Sequence, residues 1–220
     1  MHFEYFRSGF AARGLLVALL STMAFGCAPR GVVFPPFEVA VPSNEVAHQY
    51  GVDATVRVLP FEGSGPGTTG DVIGEETAGM FNQPIPITSA EPGRVQITRA
   101  VRTGLQIAGF NVVDGETADY TLAGTATRFW VDEYATGWAP EYSRAAVEFE
   151  LALRDRENRI VWAKAVEVNR RSGATFSDTS KANRVTLQQA VDAAVLEVLN
   201  DASFVSAFRH ERSAQPPVPE

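Results

Sequence analysis

The sequence predicts an α/β (α+β) fold: a two-layer sandwich in which a mixed sheet of about five strands carries two helices on one face. The clearest strand is Ser143 to Arg154, where apolar and polar residues alternate. A polar turn joins it to a second strand, Ile160 to Arg170. Two other segments repeat apolar residues at helical spacing and are polar on the opposite side. Packing both helices on one face of the sheet buries both apolar sides.

The elements before this antiparallel meander give a β-α-β order. Asp53 to Phe61 alternates as a strand, and the residues from there to Ser89 give no clear pattern. A helix begins at Glu91-Pro92, because proline suits the first helical position, and Gly109 ends it. Phe110 to Val113 then forms a short strand. The predicted core face of this helix consists of Ile97, Val101, Leu105 and Ala108.

The second half of the chain supplies the meander and the last helix. Tyr120 to Val131 is rich in threonine, aromatic and β-branched residues, which favours a strand. A final helix runs from about Lys181 to Leu199, and Phe204 and Phe208 are expected to dock after it. The predicted core face of this helix consists of Leu187, Val191, Ala194, Val195 and Val198.

The amino terminus predicts export. An uncharged apolar run, Gly14 to Phe25, follows Arg7 and Arg13, as in a secretory signal peptide. The run is shorter than the roughly 20 residues that a membrane-spanning helix needs. Cys27, the sole cysteine, follows it and resembles the lipid-modified cysteine of bacterial lipoproteins. Ordinary cleavage, which leaves Cys27 as a free thiol, is the alternative. Acylation is preferred because an unpaired thiol is a liability where disulfides form.

We therefore divide the chain into a signal peptide (1–26), a lipid-anchored tether (27–50), a single α/β domain (51–208) and a flexible tail (209–220). Removing the signal peptide takes Glu4, Arg7 and Arg13 from 26 acidic and 19 basic residues, which leaves 25 and 17 and a net charge of −8. This charge argues against a nucleic-acid partner and against binding to anionic lipid by charge alone.

No motif predicts an active site. Gly65 to Gly70 matches G-x-G-x-x-G, but the next helix begins about 20 residues later, so no helix N-terminus meets a pyrophosphate and we interpret the stretch as a loop. The two histidines left after processing, His48 and His210, lie in the predicted tether and tail, so no metal is expected. Glu148 and Glu150 share a strand face, which is commoner on a solvated sheet than in a catalytic pair. We expect no enzymatic activity and no cofactor.

The segment from Trp130 to Tyr142 is the most suggestive surface feature. It joins two meander strands and holds four aromatic residues beside acidic ones, a composition typical of recognition surfaces. We predict that it contacts a partner. A longer hairpin whose aromatic residues fold back on the sheet is the alternative. The candidate partner-binding residues are Trp130, Tyr134, Trp138 and Tyr142.

Several short stretches resemble the YajG-type family of bacterial lipoproteins over about Thr55 to Phe204. The resembling stretches are Val56–Leu59, Leu105–Val113, Ala118–Leu122, Asp155-Arg156 with Ile160–Lys164, and the terminal helix. Similar layouts occur in the amino-terminal domain of TolB and in auxiliary lipoproteins of envelope transport systems. The resemblance implies an envelope lipoprotein whose α/β domain faces the periplasm, and it brings no catalytic residues.

Location and surface together set the functional expectation. The chain is expected to be a non-catalytic binding or assembly module, held to the membrane by the acyl anchor on Cys27, with an envelope protein as partner. Ala28 stands where an aspartate would favour inner-membrane retention, so the periplasmic face of the outer membrane is expected. The alternative is an auxiliary lipoprotein subunit of an envelope lipid or polysaccharide transport system, which would require an apolar groove.

Overall fold

The computed structural model describes residues 32–37, 52–78, 83–134, 142–173 and 179–208, all in one compact unit that begins at Val32. Its described residues form five strands, a helix, four further strands and two helices, in that order, which is the predicted α+β class. The strands are β1 (Val32–Phe34), β2 (Val52–Val58), β3 (Glu62–Gly63), β4 (Val72–Ala78), β5 (Gln83–Ser89), β6 (Phe110–Val113), β7 (Tyr120–Tyr134), β8 (Tyr142–Arg154) and β9 (Ile160–Arg171). The helices are α1 (Gly93–Ile107), α2 (Thr179–Leu199) and α3 (Ala202–Ala207).

The long strand β7 organises the sheet. Along one edge it pairs in turn with β2, β3 and β4, all parallel to it. Along the other edge it pairs with β8, which is antiparallel and pairs in turn with β9. Beyond β4 lie β5 and then β1, and β6 lies beyond β2. The sheet is therefore mixed, as predicted, but the described residues form nine strands rather than about five.

The predicted helix faces and strand alternation are confirmed. Every residue predicted for the core faces of α1 and α2 is buried, and so are the alternating β8 residues from Ala145 to Leu153. The two helices also touch each other: a methyl group added at Gly104 of α1 would lie 2.3 Å from Val195 Cγ1 of α2. Phe204 and Phe208 pack against Phe110, which places α3 and the residue that follows it in the same core.

The strands β4 and β5 occupy the segment that gave no clear sequence pattern. β5 contains Pro84 and Pro86, and proline normally argues against a strand because it donates no backbone hydrogen bond. Both prolines are exposed, while Ile85 and Ile87 between them are buried. β1 covers only Ile87–Ser89, so β5 is an edge strand at its prolines, where they are tolerated.

The predicted tether boundary is wrong. Residues 27–50 were assigned to the tether, but β1 pairs with β5, and Phe34 and Phe37 are buried. The backbone N–H of Phe37 donates to Oε1 of the buried Gln96, 3.2 Å away, which fastens this segment to α1. The folded domain therefore begins at Val32 rather than at residue 51. The tail, 209–220, lies outside the described residues.

Candidate functional site

The aromatic segment is a β-hairpin rather than a long loop. β7 continues to Tyr134 and β8 begins at Tyr142, so the two strands pair from Thr121↔Arg154 up to Tyr134↔Tyr142. Trp130 therefore lies within β7, and the connection is reduced to residues 135–141. Trp138 lies in this connection, outside the described residues. The predicted partner-contact role of all four aromatic residues stays a prediction.

Trp130 and Tyr142 share the face of the sheet that points away from the helices. On β8 the inward residues are odd-numbered, so Tyr142, Arg144 and Glu148 belong to the outer face. Trp130 lies opposite Ala146 in the register, and Ala146 is only 4% exposed although it belongs to this outer face. Trp130 and Tyr142 are half-buried. The aromatic residues thus lie along the sheet surface with their rings in part exposed.

Two arginines accompany the aromatic residues on the same face. The guanidinium carbon of Arg171 lies 3.4 Å from the ring centroid of Tyr142, a cation–π contact. Arg171 of β9 is also directly opposite Arg144 of β8 in the register. Like charges directly opposite each other destabilise a sheet in isolation, so this pair favours an anionic neighbour, and Asp132 of β7 lies opposite Arg144 in the register. We refer to Trp130, Tyr142, Arg144 and Arg171 as the hairpin surface.

The glycine-rich stretch has a structural role. Gly65 and Gly67 press against β7 so closely that an added Cβ would lie 1.7 Å from the carbonyl oxygen of Thr127 and 1.8 Å from that of Phe129. The backbone N–H groups of Gly93 and Arg94, the first of α1, donate to the carbonyl oxygens of Gly67 and Thr68. These donors are the ones a pyrophosphate would need. The interpretation as a loop, rather than a dinucleotide site, accounts for this geometry.

The acidic pair on β8 forms no catalytic constellation. Glu148 lies 3.6 Å from the guanidinium of Arg128 on β7, and Glu150 is exposed. Within the described residues, no group of three or more histidine, cysteine, aspartate or glutamate side chains is placed to hold a metal ion. His48 and His210 lie outside those residues. The arrangement of Glu148 suits a surface ion pair.

Two carboxylate clusters stabilise the fold at its margins. Oδ2 of Asp119 accepts hydrogen bonds from the backbone N–H and the hydroxyl of Thr55, at 2.7 and 2.8 Å, and Oδ1 pairs with Arg156. The Thr55 backbone hydrogen bond is the main reason that the pKa of Asp119 is lowered, although burial opposes it. Burial acts against the charge on Lys164 too, but hydrogen bonds and charges from Asp201 and Glu197 raise its pKa overall.

The groove between β9 and α2 is charged. It encloses about 640 Å³ and includes Lys164, Glu167, Arg170, Glu197 and Asp201 in its lining. Lys164 Nζ lies 3.1 Å from Asp201 and 3.4 Å from Glu197, so these charges already compensate one another. An acyl chain would have to displace this network, so the groove does not suit an amphiphile.

Glu76 is a carboxyl group on the inner side of β4. Burial raises its pKa, while a hydrogen bond from Ser180 at the start of α2 acts in the opposite direction. In the register β4 runs beside β7 with Glu75 opposite Asp132, so Glu76 is next to Glu133. Glu133 is 8% exposed and lies opposite the buried Ser143. Sequence reasoning treated Glu133 as a polar loop residue; its burial follows from the length of the hairpin.

Sequence reasoning missed Arg144 and Arg171 as surface partners of the aromatic residues. Counting back from the turn at Asp155–Arg159 does not give this pairing, because a register shift between Leu153 and Arg154 places Arg144 opposite Arg171 instead of Arg170. Cys27, the predicted lipidation site, lies outside the described residues, and its modification stays a prediction. Within the described ranges, no helix has the length and apolarity that crossing a membrane requires.

Comparison with known proteins shows the fold. The chain matches no family model and no curated protein sequence. A DUF330-family protein from Xanthomonas campestris is similar in structure, with a TM-score of 0.51 and 17% identity over 84% of this chain and 100% of that protein. A minor lipoprotein from Acinetobacter baumannii gives 0.41 and 10% over 70% and 92%. The PelC dodecamer from Paraburkholderia phytofirmans gives 0.37 and 14% over 67% and 86%. This chain therefore shares the fold of the DUF330-family protein.

Proposed function

We propose that this chain is a non-catalytic lipoprotein that acts as a binding or assembly module in the bacterial cell envelope. In this proposal an acyl group on Cys27 anchors it to the periplasmic face of the outer membrane. The observation that carries the proposal is the sole cysteine at the exit of a signal-like apolar run, only five residues before the folded domain begins at Val32. Membership of the YajG-type lipoprotein family is part of the same proposal.

A non-catalytic role is supported by how the polar groups are used. Glu148 is held by Arg128, and Lys164 is held by Asp201 and Glu197. In the glycine-rich loop, the carbonyl oxygens of Gly67 and Thr68 accept hydrogen bonds from the first turn of α1. Each of these arrangements satisfies charges and hydrogen bonds within the fold rather than directing them at a substrate.

The contact surface of the module, in this proposal, is the aromatic hairpin. Trp130 and Tyr142 are half-buried on the outer sheet face, so part of each residue reaches the surface of the fold. Aromatic residues and arginine are enriched among the residues that dominate binding surfaces. The hairpin surface combines both in one place.

The alternative is an auxiliary lipoprotein subunit of a lipid or polysaccharide transport system. Handling a lipid chain would need an apolar groove, and half of the residues that line the groove between β9 and α2 are charged, among them the paired Lys164 and Asp201. The binding or assembly module is therefore the better-supported candidate.

The proposal is tested in cells by comparing the wild type with Cys27→Ser. The wild type should incorporate labelled fatty acid and stay in the membrane fraction after a high-salt wash, whereas Cys27→Ser should do neither. Each buried methylene of an acyl chain contributes about 0.8 kcal/mol, so the anchor outweighs any weak affinity of an acidic domain. Retention of the Cys27→Ser protein in washed membranes, with unlabelled wild type, would remove the proposal.

A further inference from the structure

The start of the folded domain and the β7–β8 hairpin lie at the same end of the sheet. β1 is parallel to β5, β5 is antiparallel to β4, and β4 is parallel to β7. β1 therefore runs opposite to β7, and the first residue of β1 lies at the end where β7 finishes. Twist between neighbouring strands is about 20–25° per step. Three steps from β1 to β7 leave the two ends on the same side of the domain.

The register places these features at one level. Val32 pairs with Ile87, Ile87 with Gly74, Gly74 with Val131, and Val131 with Ala145. Arg144 is thus one residue beyond the level at which the folded chain begins. Strands lie about 4.8 Å apart, so β7 and β8 are roughly 14 and 19 Å from β1 across the sheet.

The anchor restricts how far this end can be from the bilayer. Cys27 precedes Val32 by five positions, and a fully extended chain spans at most about 3.6 Å per position, or roughly 18 Å in all. An acyl group on Cys27 lies within the bilayer. The end of the sheet that carries the hairpin is consequently the end closest to lipid.

The residues of the hairpin surface suit that position. Tryptophan and tyrosine are enriched where a membrane meets water, because each has an apolar ring and a polar group. Arginine forms paired hydrogen bonds to phosphate. Within the described ranges Arg144 has no ion-pair partner, and Asp132 opposite it on β7 makes no ion pair with it. Several other arginines, by contrast, are paired with carboxylates: Arg99, Arg102, Arg128, Arg156 and Arg159.

We infer that the hairpin surface rests on the phospholipid headgroups of the membrane that holds the anchor. The inference rests on the proposed acylation of Cys27 and names what the contact surface touches. Trp130 and Tyr142 lie at the headgroup level, and Arg144 and Arg171 face lipid phosphates. Asp132 lies directly opposite Arg144, so a lipid phosphate competes with this carboxylate for the guanidinium, whereas acidic residues more than about 10 Å away are largely screened at 0.1 M salt.

Because the acyl anchor already holds the protein at the membrane, a weak contact between the hairpin surface and the headgroups is sufficient to orient the domain. Once the acyl chain is inserted, binding of the hairpin surface becomes an intramolecular event with a high effective concentration of lipid. The same surface on an unanchored domain would dissociate readily. The predicted result is a fixed orientation, in which the β8–β9 turn, Asp155–Arg159, points away from the membrane.

Orientation can be measured with single-cysteine reporters, because Cys27 is the sole cysteine and acylation blocks it. The reporter is Asp132→Cys, beside the hairpin surface, and its matched control is Glu157→Cys in the β8–β9 turn, where the native side chain is 62% exposed. Each is labelled with an environment-sensitive fluorophore in the full acylated protein. The protein is reconstituted into protein-free vesicles of phosphatidylethanolamine and phosphatidylglycerol containing a headgroup nitroxide quencher.

The label at residue 132 should be quenched at least threefold more strongly than the label at 157. Arg144→Glu should reduce that difference, whereas Arg154→Glu, at the other end of β8, should not. Equal quenching at the two positions, or stronger quenching at 157, would overturn the inference. So would shielding of residue 132 from an aqueous quencher in native membranes but not in vesicles, since that result indicates a protein partner.

Flotation of the vesicles separates this inference from the proposed function. Protein that floats with the vesicles but shows no preferential quenching at residue 132 retains the lipoprotein proposal and refutes only the contact. Protein that carries no acyl group and does not float refutes both.

Discussion

Replacing Gly104 tests whether α1 packs against α2, because the structure and an unpacked helix predict stability changes of opposite sign. It lies in the interior of α1, where glycine normally costs about 1 kcal/mol relative to alanine. If α1 were not packed against α2, Gly104→Ala should stabilise the protein by that amount. The structure predicts the opposite, because the new Cβ would lie 2.3 Å from Val195 Cγ1 and 3.4 Å from Leu199 Cδ1.

The cost follows from the size of the overlap. Carbon atoms in contact prefer about 3.5–4.0 Å, so the two helices must separate by more than 1 Å, or Val195 must leave its rotamer. A β-branched side chain in a helix has one strongly preferred rotamer, so rotation is unfavourable. Overpacking of this kind typically costs about 1–3 kcal/mol. After the helix-propensity gain, we expect Gly104→Ala to lower the free energy of unfolding by about 0–2 kcal/mol.

Urea and thermal unfolding of four proteins measure the effect: wild type, Gly104→Ala, Val195→Ala and the double variant. A change of 1 kcal/mol corresponds to about 2–4 °C in Tm for a domain of this size. Val195→Ala removes the methyl group that clashes, so the double variant should be more stable than the sum of the single effects by about 1 kcal/mol. Stabilisation by Gly104→Ala alone, or strict additivity, would refute the packing of α1 on α2.

Other predictions concern the core, the pH dependence and the hairpin. Val191→Asp should destabilise the protein by several kcal/mol, because Val191 is 2% exposed and the new charge would have no partner. Gln189→Asp, at an exposed position of the same helix, should change Tm little. Equal melting temperatures of the two variants would contradict the assignment of which face of α2 is buried. Asp119→Asn should cost about 1–2 kcal/mol at pH 7. Because folding lowers the pKa of Asp119, its contribution is complete above the unfolded value of about 3.9 and is lost as the pH falls through the folded value. The denaturation curves of the two proteins should therefore converge once the pH is below that folded value, and a constant gap would argue against the Thr55 contact. Trp138→Ala should leave Tm almost unchanged and remove the crosslinks that the hairpin makes to membrane lipid; a large fall in Tm would identify Trp138 as core instead.

Local sequence patterns predicted the strands and helices that have one face in the core and the other in solvent. Val147 and Phe149 alternate with Glu148 because one face of β8 lies in the core and the other in solvent. The alternation of apolar and polar residues is therefore sufficient to predict the strand. The helices α1 and α2 were placed for the same reason, since Ile97 and Val191 recur with helical spacing on buried faces. In each of these cases the sequence pattern and the tertiary environment carry the same information.

Elements that depend on distant pairing were not predicted. β1 is three residues long and becomes a strand only because Ile87 to Ser89 are available beside it. β5 has prolines at alternate positions, and only its place at an edge makes them acceptable. Neither neighbour can be inferred from adjacent residues in the chain.

The candidate site shows the same division. Cys27 could be singled out from the sequence because export and acylation are read from a linear motif. The hairpin surface could not, because Arg171 reaches Tyr142 only through the register of β8 and β9. Acidic residues near the end of β7 made a loop the natural prediction, yet Glu133 is buried and paired in register with Ser143.

The measurement that tests the central claim most directly is the intact mass of the membrane-extracted protein. An acylated lipoprotein predicts a mature amino terminus at Cys27, with a mass increase that corresponds to lipid and that disappears in Cys27→Ser. Recovery of an unmodified chain that begins at Cys27, or of a chain that still carries residues 1–26, would contradict the account.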